Sequence, residues 1–149
     1  IDLRKDKDYT KLKEVAEVIK KSGIIVFPTE TVYGIGANGL NEDAVKRLYE
    51  VKQRPLDKPI SLLVSDIEMI EQLVKDITDI EYGLIKEFFP GPLTIILNKK
   101  DIVPGIVTAG GSTVGVRMPE NEIALKLNRT PKERVALVKI ICQGYFFWE

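Results

Sequence analysis

Short apolar runs alternate with stretches of helical spacing along this chain, and that alternation restricts its fold more than any other feature. Residues 24–27, 60–64 and 93–97 read as strands, the first two of them buried. Val114, Val116 and Met118 alternate with small or polar neighbours and read as one more strand. Between these runs, Leu12, Val15, Ala16 and Ile19 have the spacing of a helix over 10–22, with Gly23 as its stop. Asn41 caps a helix over 42–52, with Asp43 near its positive end and Val45, Leu48 and Tyr49 on one face. Ser65 with Glu68, and Thr78 with Glu81, are capping boxes for helices reaching about 75 and about 89, the second ending before Pro90. Residues 121–127 read as a short helix. Thr130, Pro131 and Glu133 form a further capping box, and 135–141 is apolar enough for either a helix or a strand. Strands alternating with helices predict an α/β (α+β) fold, a sheet covered by helices in one compact domain.

Composition narrows the function classes. The chain has 149 residues, 44% hydrophobic and 30% charged, which suits one domain with a real core. Its formal net charge is zero, so any basic site must be local. No apolar run approaches the roughly 20 residues of a membrane span. Residues 1–8 are charged and lack a signal-peptide apolar stretch. Cys142 is the one cysteine, which fits a reducing compartment. These features predict a cytoplasmic protein without membrane partners. With no histidine, His-based acid–base catalysis, Ser-His-Asp triads and His metal sites are excluded. Chemistry rests on Lys, Arg, carboxylates, hydroxyls and backbone.

Two polar clusters stand out. The strand over 24–27 runs into Pro28-Thr29-Glu30-Thr31-Val32-Tyr33-Gly34-Ile35-Gly36. Two hydroxyls, a carboxylate and a phenol after a proline present polar groups on a loop, where binding residues concentrate. The alternative is a turn whose hydroxyls cap local backbone. Gly34, Gly36 and Gly39 match G-x-G-x-x-G, but a dinucleotide fold also wants an acidic residue about 20 positions on. That window holds only Asp57, set among Lys and Pro. The glycines are expected instead to let the loop turn into the helix at Asn41. The second cluster is Lys52-Gln53-Arg54-Pro55-Leu56-Asp57-Lys58-Pro59. Three cations on a backbone stiffened by two prolines make an anion site, Arg as a planar fork and Lys as a point charge. The plain alternative is a solvated charged face at a helix C-terminus. Arg117 ends a strand before Met118 and Pro119, where a cross-strand salt bridge is the plain reading. Pro90, Gly91 and Pro92 bring the chain sharply into a strand, with Thr94 within reach of a site. No P-loop is present, and no carboxylate cluster has metal-ligand spacing.

Four segments, 27–39, 52–64, 90–96 and 113–119, together resemble the threonylcarbamoyl-AMP synthase family, the YrdC-like domain. The resemblance covers 1–127 and divides the chain into that domain, incomplete, and a divergent tail over 128–149. It implies a twisted mixed sheet flanked by helices, with a concave basic surface. It implies that Thr29, Thr31 and Tyr33 line the pocket for amino acid and nucleotide. Lys52 and Arg54 carry over the family's K-x-R motif, which binds ATP phosphates and the threonine carboxylate, and Lys58 lies in the adjoining segment. Arg117 is given to the nucleotide. The implied reaction joins L-threonine, bicarbonate and ATP into threonylcarbamoyl-AMP and pyrophosphate for tRNA t6A modification. Mg²⁺ arrives with ATP. The partners implied are the downstream threonylcarbamoyl-transfer machinery and, beyond it, tRNA or double-stranded RNA.

Physically such a site needs positioning and charge neutralisation, which suits a chain with no histidine and no evident general base. The family also has an S-x-N motif downstream of the R-x-P strand, which this chain lacks. Its last residues include Tyr145, Phe146, Phe147 and Trp148. The sequence reads as a truncated or frameshifted member, so low synthase activity and low solubility are expected. The alternative is a non-catalytic module that binds nucleotide or double-stranded RNA.

Overall fold

The computed structural model describes residues 11–30, 33–129 and 137–141, the last three by backbone alone. Its strands are β1 (Ile25–Phe27), β2 (Gly34–Asn38), β3 (Ser61–Leu63), β4 (Ile95–Asn98), β5 (Thr113–Arg117) and β6 (Leu137–Ile141). Its helices are α1 (Leu12–Lys20), α2 (Glu42–Val51), α3 (Ile67–Leu73), α4 (Asp79–Phe88) and α5 (Glu122–Arg129). The strands form one mixed sheet in the order β1-β2-β6-β3-β5-β4. β3 and β5 run parallel, and each other pair is antiparallel.

Local chemistry sets several of these elements as the sequence predicts. Asn41 Oδ1 accepts the Ala44 N–H at 2.9 Å and opens α2. Thr78 and Glu81 close a reciprocal capping box on α4. The Glu81 carboxylate accepts the Thr78 N–H at 2.7 Å and its hydroxyl at 2.8 Å, which holds its pKa below the usual glutamate range. α1 ends at Lys20, and Gly23 closes the turn that follows, its N–H donating to the Val18 carbonyl at 2.8 Å.

Other expectations are corrected. Of the three glycines in 34–39, Gly39 lies in the turn that leads into α2 as expected, whereas Gly34 and Gly36 lie in β2, the second strand of a hairpin with β1. The first strand is not buried on both faces. β1 sits at the sheet edge, and Val26 is 60% exposed. Ser65 does not cap α3. Asp66 does, accepting the Met69 N–H at 2.9 Å, while Ser65 Oγ donates to Asp66. β4 begins at Ile95, two residues later than expected, and α5 runs on to Arg129. Between helix and strand for 135–141, the structure has a strand, β6, which lies beyond Leu127 and inside the sheet. The capping box at 130–133 and the aromatic run at 145–148 lie outside the described residues.

The sheet has two unlike faces. On one, Ile35, Ala37, Leu62, Val114, Val116 and Val138 build the larger core with α2 and α3. On the other, Phe27, Leu63 and Leu137 pack against Leu12 and Ile19 of α1 and Ala124 and Leu127 of α5. Asn128 belongs to this second side of the molecule. It is fully buried, and neither its Nδ2 nor its Oδ1 has a hydrogen-bond partner among the described residues. An unsatisfied buried amide costs about 1–3 kcal/mol. Replacing it with its apolar isostere, Asn128→Leu, should therefore raise the melting temperature, by about 2–4 °C per kcal/mol at this size. A fall in melting temperature would show that the amide is satisfied by residues outside those described.

Candidate functional site

The uncovered part of the second face is the site's floor. Reading across the sheet at one level, Ile25 pairs with Gly36, Gly36 with Lys139, and Lys139 with Ser61. Gly115 follows beside Ser61 and pairs with Ile96. Small residues keep this floor low. A Cβ on Gly36 would meet the Val138 carbonyl oxygen at 2.5 Å and the Phe27 ring at 2.7 Å. One on Gly115 would meet Ser61 Oγ at 2.9 Å and Thr94 Cγ2 at 3.2 Å. Helices α1 and α5 cover the part near Phe27 and Leu63. Toward β4 the face stays open, and Ile96 is 61% exposed.

Two loops meet one end of this sheet. β1 leaves it at Phe27, level with Gly34 and Ile141, and β3 enters it at Ser61, level with Lys139. The 28–33 and 52–60 loops therefore adjoin the same end, although they are some twenty residues apart in sequence. Thr29 is buried on the first, and Tyr33 stands half-exposed at its close. Thr31 lies outside the described residues.

On the second loop the three cations differ. Lys52 is half-buried and Lys58 exposed. Arg54 is partly committed to its own loop: Nε donates to the Lys58 carbonyl at 3.3 Å and Nη2 to the Pro59 carbonyl at 3.0 Å. Its remaining N–H donors are available to an anion. Tyr49, which the sequence marks only as helix core, is the loop's second anchor. Its single hydroxyl proton faces two acceptors, the Lys58 carbonyl at 2.8 Å and the Ile106 carbonyl at 3.2 Å. Burial pushes the Tyr49 pKa up, while the nearby Arg54 charge and hydrogen bond pull the other way. Nothing in the sequence spacing signals that contact, because Ile106 is 57 residues away.

Arg117 lies on the open face, since it alternates with the buried Val114 and Val116. It is not a bare cation. Its Nη2 donates to a carboxylate oxygen of Glu30, and its Nε donates to the Gly91 carbonyl at 3.2 Å. The Arg117 and Glu30 side chains are only 13% and 17% exposed. Glu30 is the residue that the sequence reading missed. Its position between two threonines on a polar loop was visible, but its partner 87 residues away was not.

A separate cleft of about 450 Å³ opens at the opposite end, between Ser65, Lys86, Phe89, Met118 and Arg129. It touches none of the predicted site residues. Its mixed charges do not form an anion site, so the candidate site is the open face.

Comparison with known proteins agrees with this fold. The Sua5–YciO–YrdC family, described as "Telomere recombination", matches residues 17–142. The threonylcarbamoyl-AMP synthase of Pyrococcus abyssi is 44% identical over 136 residues, 91% of this chain and 40% of that protein. The threonylcarbamoyl-AMP synthase of Bacillus subtilis is 44% identical over 119 residues, 79% of this chain and 34% of that protein. The crystal structure of P. abyssi Sua5 complexed with L-threonine superposes with a TM-score of 0.85 at 43% identity, covering 89% of this chain and 38% of that one. The chain thus spans two fifths or less of the length of these relatives.

The Tyr49 contact gives a test of how the cationic loop is held. Tyr49→Phe should lower stability at neutral pH by about 0.5–1.5 kcal/mol, the usual net value of a hydrogen bond. The sign of the pH effect follows from the raised pKa. The hydroxyl's contribution is complete below the ordinary tyrosine value of 10.0 and is lost as pH climbs through the folded value. Denaturant melts from pH 7 to 11 should show the wild type and Tyr49→Phe converging at the alkaline end. Parallel curves would mean that the hydroxyl does not hold the loop.

Proposed function

This chain belongs to the Sua5–YciO–YrdC family, and from that membership we propose that it carries the substrate-binding domain of an L-threonylcarbamoyladenylate synthase. The reaction makes threonylcarbamoyl-AMP and pyrophosphate from L-threonine, bicarbonate and ATP. The observation that supports this most directly is the meeting of a hydroxyl-bearing loop and a cationic loop at one end of an open sheet face. The relative solved with L-threonine shares that fold at 43% identity.

The chemistry proposed for each residue follows from its side-chain type and from the family to which the chain belongs. Lys52 and Lys58 offer ammonium groups to phosphates, and Arg54 offers the donors left over from its loop contacts. Thr29, Thr31 and Tyr33 orient the amino acid. The threonine nitrogen must meet bicarbonate or CO₂ to form a carbamate. The carbamate oxygen must then face the α-phosphate opposite the departing pyrophosphate. Holding these groups in line and offsetting the phosphate charge suffices for much of the acceleration. Among the described residues there is no group of three or more carboxylate or cysteine side chains suited to a metal ion, and Mg²⁺ enters bound to ATP as part of that substrate. The product is consumed by threonylcarbamoyl transfer to tRNA, in the cytoplasm.

Binding and turnover are measured separately, because the chain spans two fifths or less of the length of its relatives. Calorimetry should show L-threonine and ATP each binding, and Lys52→Ala should weaken ATP by roughly 1.5–3 kcal/mol, the value of a charge-assisted contact. Pyrophosphate release that requires both threonine and bicarbonate measures turnover. Ligand binding without pyrophosphate release would support the reading as a binding module. NADH binding in place of ATP would overturn the assignment.

A further inference from the structure

We infer that the outer face of α4 is a docking site for an amphipathic helix of another protein, one whose apolar row is bordered by Lys or Arg. α4 packs against the larger core, on the other side of the sheet from the proposed threonine and ATP site. Inward it buries Ile85, and Ile77 and Phe89 pack against the same core at its two ends. Outward it carries a second apolar row: Ile80, Leu84 and Phe88 are 78%, 39% and 48% exposed. A spacing of four residues puts these side chains on one line along the helix. A lone exposed apolar residue is ordinary, but three in line form a continuous strip, which marks an interaction surface. Beside Leu84, a Cβ on Gly83 would meet nothing within 4 Å, so a partner's backbone can come close there.

Two properties of the strip select its occupant. The first is charge. With about 100° between successive residues, Glu81 borders the strip on one side and Glu87 on the other. Lys86, the one cation of α4, lies on the far side of the helix, with its Nζ 4.8 Å from the centre of the Tyr82 ring. An acidic rim favours a basic partner and repels anionic lipid and nucleic acid. It disfavours a second copy as well. Paired antiparallel through Leu84, each Glu81 would face a Glu87, and like charges so placed are destabilising. The second property is size. The strip spans a little over two turns, about 12 Å, which is the footprint of one short docked helix. A stable dimer buries about 800 Å² on each partner, far more than three side chains offer.

The test uses the full chain and synthetic peptides of about 18 residues, long enough to form a helix on binding. One peptide has leucines at helical spacing bordered by lysines. Another has the same leucines bordered by glutamates. A third has the composition of the first, with its leucines scattered around the helix. Fluorescence anisotropy gives the affinities, and amide shifts in NMR locate the contact. The lysine-bordered peptide should bind about tenfold or more tighter than either control, with its largest shifts in 79–88. Ile80→Ser combined with Phe88→Ser should cost it about tenfold or more. Glu87→Lys should weaken it about threefold or more and tighten the glutamate-bordered peptide. Glu50→Lys, the same change of charge on α2, should leave both within about twofold.

Equal affinity for the lysine- and glutamate-bordered peptides overturns the inference, as does binding that the serine pair leaves unchanged. Equal effects of Glu87→Lys and Glu50→Lys overturn it too, since overall charge would then govern binding. A dimer in size-exclusion chromatography that the serine pair dissolves would give the face to a second copy, against the inference. If the serine pair fails to fold, Glu87→Lys, which replaces only an exposed side chain on the rim, decides alone.

Discussion

The sheet depends on β6. It pairs with β2 along 34–38 and with β3 along 61–63, and so joins the β1–β2 hairpin to the β3–β5–β4 half. Without it, facing rows of N–H and C=O groups on β2 and β3 would be left without ladder partners, and buried backbone groups rarely go unpaired. Its side chains join the cores as well. Val138 is fully buried in the larger core and Leu137 in the smaller, on opposite faces. One strand thereby fixes the spacing between the residues on which the site's floor is built.

That floor explains the kind of site this is. A face of small residues, Gly36, Ser61 and Gly115, offers backbone and shallow relief but little charge. Strands bring Arg117 and Lys139 to this face; the other candidate binding groups come from loops, and loops must be held. The cationic loop is held by carbonyl acceptors: Tyr49 and Arg54 both donate to Lys58, and Arg54 also to Pro59. The hydroxyl loop reaches the far strand through the ion pair of Glu30 with Arg117. In each case a residue that looks free for ligand in the sequence is partly engaged in shaping the site. Such preorganisation reduces the ordering cost of binding.

Much of this was legible in the sequence. The helix starts at Asn41 and at Thr78 with Glu81 were readable because a cap is a contact over three residues. The apolar periods located α1, α2, β3 and β5 for the same local reason. The two polar loops were visible as candidate binding segments because hydroxyls and cations beside prolines do not serve a core. What misled was glycine. Gly34 and Gly36 read as turn formers, yet both are strand residues, and a side chain at Gly36 is excluded by the Phe27 ring and the Val138 carbonyl packed against it.

The sequence by itself determined the helices, the strands other than β2 and β6, their approximate limits and the chemical types available to a site, since these follow from contacts between near neighbours in the chain. Only the tertiary structure decided that 137–141 enters the middle of the sheet, that the 28–33 and 52–60 loops share one end of it, and that Glu30 meets Arg117. The reason is physical. Each of these is a pairing between segments tens of residues apart, chosen by which buried faces and backbone ladders can be completed together, and no local spacing encodes that choice.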